Sequence, residues 1–221
     1  MVSLFYPRIC SGCDSHLTQS EQNLCIECLH RLPKTYYWDY DINPVEKLFW
    51  GRLPVSSACA FLHYQTGSMV QQLMHRFKYK GKKNIGLELG IRFGVILKEK
   101  KWFSDIDIII PIPLHATKKA RRGYNQSALI AEGLAEVFDV PSRNDVLKRV
   151  VASDTQTRKS RFDRSQNILN VFKVIKPEVI RGKKVLIVDD VVTTGSTLEE
   201  AGKALFEGDV SRLYIATLAT A

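Results

Sequence analysis

Two short stretches carry the residue types that do chemistry. In VLIVDDVVTTGST, residues 185–197, an apolar run ends in two adjacent carboxylates, Asp189 and Asp190. Thr193, Thr194, Gly195, Ser196 and Thr197 follow directly. The apolar run reads as a strand buried on both faces, which puts the carboxylates at its C-terminal end, where open α/β sheets bind ligands. A loop of small and hydroxylated residues that opens into a helix offers a phosphate backbone N–H groups, hydroxyl donors and a helix N-terminus. Gly195 permits the backbone to come close. Carboxylates for sugar hydroxyls beside a cup for phosphate suit a ribose 5-phosphate. Acidic strand ends also occur in receiver domains and Walker B strands. A receiver needs a whole small domain after its acidic strand, and 31 residues follow Asp190. A Walker B strand needs an upstream G-x-x-x-x-G-K-[ST], which the chain lacks. A purely structural Asp-Asp turn stays open as the alternative.

The second stretch holds four of the five cysteines. Cys10 and Cys13 form one C-x2-C pair and Cys25 and Cys28 another, with eleven residues between the pairs. Each pair can make a tight turn that aims two thiolates at one ion, and the spacing is that of a closed four-thiolate structural zinc site. A segment this short buries too little apolar area to fold unaided, so metal binding would supply much of its folding free energy. A redox pair would call for a βαβ pattern beside it, and disulfides would call for an oxidising compartment. His16 and His30 read as surface residues because four thiols complete the site. Cys59, in the apolar stretch VSSACAFLHY, reads as buried and inert.

The elements that must position these groups follow from periodicity. Val70, Leu73, Met74 and Phe77 predict an amphipathic helix, Leu87, Ile91 and Val95 a second, and Ile130, Leu134 and Val137 a third. IDIIIPIPL predicts another buried strand, ended by its prolines. Leu198, Ala201, Gly202 and Leu205 mark a helix after the phosphate-type loop, and RLYIATLAT a further strand. Strands alternating with helices imply an α/β fold, an open and mostly parallel sheet with helices on both faces. The expected organisation is a zinc module with its connector over 1–55 and an α/β domain over 56–221. Residues 35–55, aromatic and broken by Pro44 and Pro54, read as a packed connector, with a base-stacking platform as the lesser alternative.

Charge supports a phosphate-rich partner. The chain carries 32 Lys/Arg and 23 Asp/Glu, a net +9, and residues 56–180 hold 22 of those cations against 11 anions. A sugar phosphate and a nucleic-acid backbone satisfy this equally. The first residues, MVSLFYPRIC, do not read as a secretory signal, and no apolar run approaches the roughly 20 residues that span a bilayer. The expected location is the cytoplasm, with reduced thiols.

VLIVDDVVTTGST resembles the signature that binds 5-phosphoribosyl-1-pyrophosphate (PRPP) in type I phosphoribosyltransferases. The rest of the chain resembles the ComF family, named for its link to natural competence. KYKG at 78–81 is similar to that family's K-Y-x-G, PIPLHATKKARRGYNQ at 111–126 to its proline-bounded loop and R-G-[FY]-N-Q, and Gln156 with Arg164 and Asn167 to its second variable loop. The four-cysteine module belongs to the same pattern. Lys159 stands where the family usually has Leu. The resemblance implies that Asp189 and Asp190 hold the ribose hydroxyls with Mg²⁺ and are the catalytic pair, while Thr193 to Thr197 hold the 5′-phosphate. It places Pro113, Leu114 and His115 against the pyrophosphate, and makes Lys78, Lys80, Arg121 and Arg122 the candidates to neutralise it. Residues 152–167 read as a mobile lid over the site, with a plain charged surface loop as the alternative. Three functions remain in view: phosphoribosyl transfer to an unidentified acceptor, handling of single-stranded DNA with competence-machinery proteins, and PRPP sensing without catalysis.

Overall fold

The computed structural model describes residues 7–150 and 171–221. The expected lid, with Gln156, Lys159, Arg164 and Asn167, lies outside the described residues.

Four parallel strands make the central sheet: β1 (Ser57–His63), β2 (Ile108–Pro111), β5 (Lys184–Val192) and β6 (Arg212–Thr220), in the order β1-β6-β5-β2. The short strands β3 (Leu147–Arg149) and β4 (Phe172–Val174) form a separate antiparallel pair. Both outer edges of the sheet are touched by extra chain. Lys34 bridges Leu62 beside β1, and Ser142 bridges Ile109 beside β2. Ile112 N–H still donates to Val188 O at 2.8 Å, although Pro111 has no donor to extend the ladder.

Alternation along the strands divides the core in two. Phe61, Ile109, Leu186, Val188, Tyr214 and Ala216 belong to one buried cluster. Ala60, Ile108, Ile110, Val185, Ile187 and Ile215 belong to the other. Burial on both faces is why these strands read as unbroken apolar runs. The first cluster is covered by α3 (Met69–Tyr79), α4 (Asn84–Lys98), α6 (Gln126–Phe138) and the cysteine segment with its short helix α1 (Ile26–His30). The second is covered by α7 (Ser196–Glu207), the β3–β4 pair and the connector, which contains α2 (Pro44–Lys47). A last helix, α5 (Ala116–Arg122), follows β2.

The expected stripes of α3 and α7 are the buried ones: Val70, Leu73, Met74 and Phe77 in one, Leu198, Ala201, Gly202 and Leu205 in the other. In α4 the helix is where periodicity put it, but the buried face differs. Ile85, Leu89, Phe93 and Leu97 are enclosed, whereas Val95 is half exposed. The reason is a contact that hydrophobic counting does not see. Gly90 and Gly94 face α6, so closely that a Cβ on Gly90 would lie 2.4 Å from the carbonyl oxygen of Ile130, while Gly86 makes room for the Phe77 ring. From the other side, a Cβ on Gly133 would lie 2.4 Å from the oxygen of Leu87.

The N-terminal segment is fastened to this body by polar contacts. Arg76 makes a two-pronged pair with Asp14 at 2.7 and 2.6 Å and donates to Ser11 O at 3.1 Å. The backbone and side chain of Asn23 both donate to Glu88. In the connector, Asn43 caps α2 and donates to Ala58 O at 2.8 Å.

Gly90→Ala tests the α4–α6 contact. Overpacking against backbone costs about 1–3 kcal/mol or more, so the thermal midpoint should fall by several degrees, read by circular dichroism.

Candidate functional site

Strand β5 carries Asp189 and Asp190 to its C-terminal end, and two other segments close around them. From α6 comes Ser127, whose hydroxyl donates to Asp189 Oδ1 at 2.9 Å. The N–H of Asp190 donates to the same oxygen at 2.8 Å. Lys78, near the end of α3, pairs its ammonium with Asp190 Oδ2 at 2.6 Å. Burial, and then the neighbouring Asp190 charge, push the Asp189 carboxyl up to about 7, against the opposing pull of the Asp190 N–H, Ser127 and Lys78.

The start of α6 is fixed by Asn125, whose Oδ1 accepts from Ser127 N–H at 3.2 Å and whose amide donates to Ile112 O at 2.9 Å. That ties α6 to the loop after β2. Arg122 donates to the buried Gln126 Oε1 at 2.9 Å and lies over the Tyr79 ring, 5.4 Å from its centroid. The Tyr124 hydroxyl donates to Phe77 O. Residues 77–79 and 122–127, remote in sequence, therefore meet beside the acidic pair.

After β5 the chain turns through Gly195 at φ +76° into α7. Asp189, Val191, Val192 and residues 193–198 line a small polar cup of about 50 Å³. Thr194 Oγ1 and Ser196 Oγ share a hydrogen bond of 2.9 Å. Two connector residues hold this loop from behind. Arg52 donates to Thr194 O at 3.0 Å and to Leu48 O at 2.9 Å, and also pairs with Glu199. The Phe49 ring lies against Gly195, where a Cβ would come within 3.0 Å of it.

Of the residues singled out from sequence, Asp189, Asp190, Lys78 and residues 193–197 converge on one edge of the sheet. Pro113, Leu114 and His115 occupy the half-buried loop after β2, and His115 Nδ1 contacts Thr117 Oγ1 at 2.9 Å. Lys80 and Arg121 are exposed. Neither forms an ion pair with the two aspartates among the described residues. Ser127, Arg52 and Phe49 were not anticipated. Ser127 directly follows the R-G-Y-N-Q stretch and was within reach of the sequence. Arg52 and Phe49 lay in a connector recognised as packed but with nothing to say against what.

The four cysteine sulfurs of 10, 13, 25 and 28 all lie within 4.8 Å of one another. Backbone N–H groups of Gly12 and Cys25 donate to Cys10 Sγ at 3.3 and 3.2 Å, and that of Cys28 to Cys25 Sγ at 3.4 Å. Cys13 Sγ contacts Ser15 Oγ at 2.8 Å. Zinc–sulfur bonds of about 2.3 Å in a tetrahedron separate sulfurs by about 3.8 Å, so this cluster fits one such ion. His16 and His30 are exposed. Cys59 is buried, and burial lifts its thiol well above the usual range.

An acidic strand end, a polar cup at a helix start and a parallel sheet covered on both faces define a phosphoribosyltransferase-like protein. Residues 125–221 match the family model described as Phosphoribosyl transferase domain. The chain is 30% identical over 218 residues to Competence protein F of Haemophilus influenzae, covering 96% of this chain and 90% of that one. It belongs to the ComF family. It is also 27% identical to DNA utilization protein YhgH of Escherichia coli K12, over 94% of this chain and 88% of that protein. Among solved structures, the allosteric regulatory enzyme of purine biosynthesis covers 65% of this chain at 18% identity and a TM-score of 0.45, with 29% of its own length matched.

The raised Asp189 has a stability consequence. Between about pH 4 and pH 7 the native state keeps a proton there that the unfolded chain has given up. This group's contribution is therefore complete below about pH 4 and is lost as pH rises through 7. Asp189→Asn keeps the Oδ1 acceptor but not the charge. Its stability relative to wild type should rise by up to about 1.4 kcal/mol per pH unit towards pH 7 and stay level above. Calorimetric melts across pH 5–9 would show this, and a gap that does not change with pH would refute it.

Proposed function

We propose that this chain binds PRPP together with Mg²⁺ and transfers its phosphoribosyl group to an acceptor. The observation that carries this reading is the continuous unit at the end of β5: two half-buried carboxylates, then a polar cup roofed by the start of α7. Asp189 and Asp190 accept hydrogen bonds from the ribose 2′ and 3′ hydroxyls. Backbone N–H groups and hydroxyls of residues 193–197 take the 5′-phosphate. The loop of Pro113, Leu114 and His115 faces the pyrophosphate, with Lys78 and Arg122 as cationic groups to balance it.

The acidic pair suits Mg²⁺, because carboxylate oxygens are its preferred protein ligands. When bound, Mg²⁺ supplies charge neutralisation of the pyrophosphate. The transfer breaks the bond from ribose C1 to a pyrophosphate oxygen and forms one from C1 to the acceptor. The protein's share is to hold the sugar in place and to stabilise the negative charge that builds on the departing group.

The relatives named for competence and DNA utilization support placing this activity within DNA uptake, alongside single-stranded DNA and the uptake machinery. Tyr79 is exposed and flanked by Lys78 and Lys80, a pairing that suits a strand. No helix among the described residues is long and apolar enough to cross a membrane, and five cysteines present as free thiols accord with a cytoplasmic protein. The cysteine cluster is assigned a structural zinc ion.

Isothermal titration of PRPP with Mg²⁺ into wild type should show saturable binding. The double variant Asp189→Asn, Asp190→Asn should weaken it by about tenfold or more, which is about 1.4 kcal/mol. No binding to folded wild type would sink this reading. Affinity for single strands that falls steeply with salt would favour the DNA reading instead. Elemental analysis should find about one zinc per chain, and Cys25→Ser with Cys28→Ser should abolish it and lower the melting temperature.

A further inference from the structure

Lys78 lies in the last turn of α3, its ammonium 2.6 Å from Asp190 Oδ2, and the two side chains are only 21% and 16% exposed. No other Lys or Arg pairs with either aspartate among the described residues. The residues on both sides of Lys78 are pinned. Phe77 is fully buried and its carbonyl accepts from Tyr124, while the Tyr79 ring lies under Arg122. The backbone at the end of the helix is thus tied to the site through Phe77, which leaves the Lys78 side chain as the part able to change partner.

Two adjacent carboxylates in a largely dry cleft attract cations strongly, and Lys78 already answers half of that charge. A divalent ion arriving alone would have to turn the ammonium off Asp190 and would leave it close by, like charge beside like charge. A divalent ion arriving with a pyrophosphate brings the displaced ammonium a new anionic partner.

We propose that Lys78 is a resident counter-ion that keeps free divalent metal off the acidic pair, so that metal enters only together with the pyrophosphate-bearing sugar. This rests on the sugar-phosphate reading of the site. It gives Lys78 two successive partners, Asp190 in the empty site and the pyrophosphate in the filled one, and it makes the lysine a positioning residue.

The test uses Mn²⁺ alone, titrated into the full, zinc-loaded chain and followed by the paramagnetic resonance signal of the free ion. Wild type should take up Mn²⁺ weakly. Lys78→Met, which keeps the bulk of the stem without its charge, should bind it about tenfold or more tightly, the scale on which one adjacent charge alters a carboxylate's affinity for a proton. Lys78→Arg should behave as wild type. Equal Mn²⁺ affinity in wild type and Lys78→Met, or tighter binding by wild type, overturns the proposal. Lys78→Gln takes the place of the methionine variant if the latter does not fold. The contrast in Mn²⁺ affinity without any PRPP binding to wild type would keep the counter-ion and retire the sugar-phosphate reading. PRPP binding without the contrast would do the reverse.

Discussion

Strand β5 is buried along both faces, and the candidate site hangs on that fact. Val185 and Ile187 are locked into one apolar cluster, Leu186 and Val188 into the other, and β2 and β6 flank the strand on either side. A strand held so completely has little freedom to shift along its axis or to roll, because a slip of one residue would exchange its two faces. The two carboxylates at its end inherit that fixity. So does the turn that follows, since Gly195 and the start of α7 are only a few residues farther on. Placing Asp189 in a half-dry position is unfavourable in itself. The donors around it, Ser127 and the Asp190 N–H, and the ammonium on Asp190 offset that cost.

The opposite face of the sheet contributes in a less direct way. The connector lies against the sheet. It packs Val45, Phe49 and Leu53 into the second apolar cluster and sends Arg52 to the back of the polar cup. Leu53 also fills the space over Gly202, where a Cβ would sit 2.4 Å from its methyl carbon. The same stretch of chain that leads away from the cysteine cluster thus sets the Thr194 carbonyl, and with it the direction in which the loop's N–H groups point.

Much of this was written legibly in the sequence, for physical reasons that differ from element to element. The strand and cup at 185–197 were legible because burial on both faces leaves an unbroken apolar run and because phosphate-type turns use few residue types. The cysteine cluster was legible because two C-x2-C turns have few other uses. Helix α4 was legible as a helix and not as a face, since its closest contacts are made by glycines that no hydrophobic count registers. The pairing of Lys78 with Asp190, 112 residues apart in sequence, and the reach of Arg52 to Thr194 were not legible. Both depend on tertiary geometry that leaves no periodic trace. Lys78 was singled out for its charge, and only the structure shows which partner it faces.

The order of the strands has a bearing on how the protein comes into being. β6 lies between β1 and β5, yet it is the latest of the four in the chain. While a ribosome is still working through the residues before 212, β1 has no neighbour in the sheet beyond the short bridge to Lys34, and β5 has only β2. The nascent chain must therefore carry two unfinished pieces, each with an open strand edge, until a nine-residue segment drops between them and joins both at once. The polar cup draws on both pieces, its backing from the connector on the β1 side and its loop from the β5 side. Until β6 arrives, those open edges are where the polypeptide is most exposed to pairing with something other than itself.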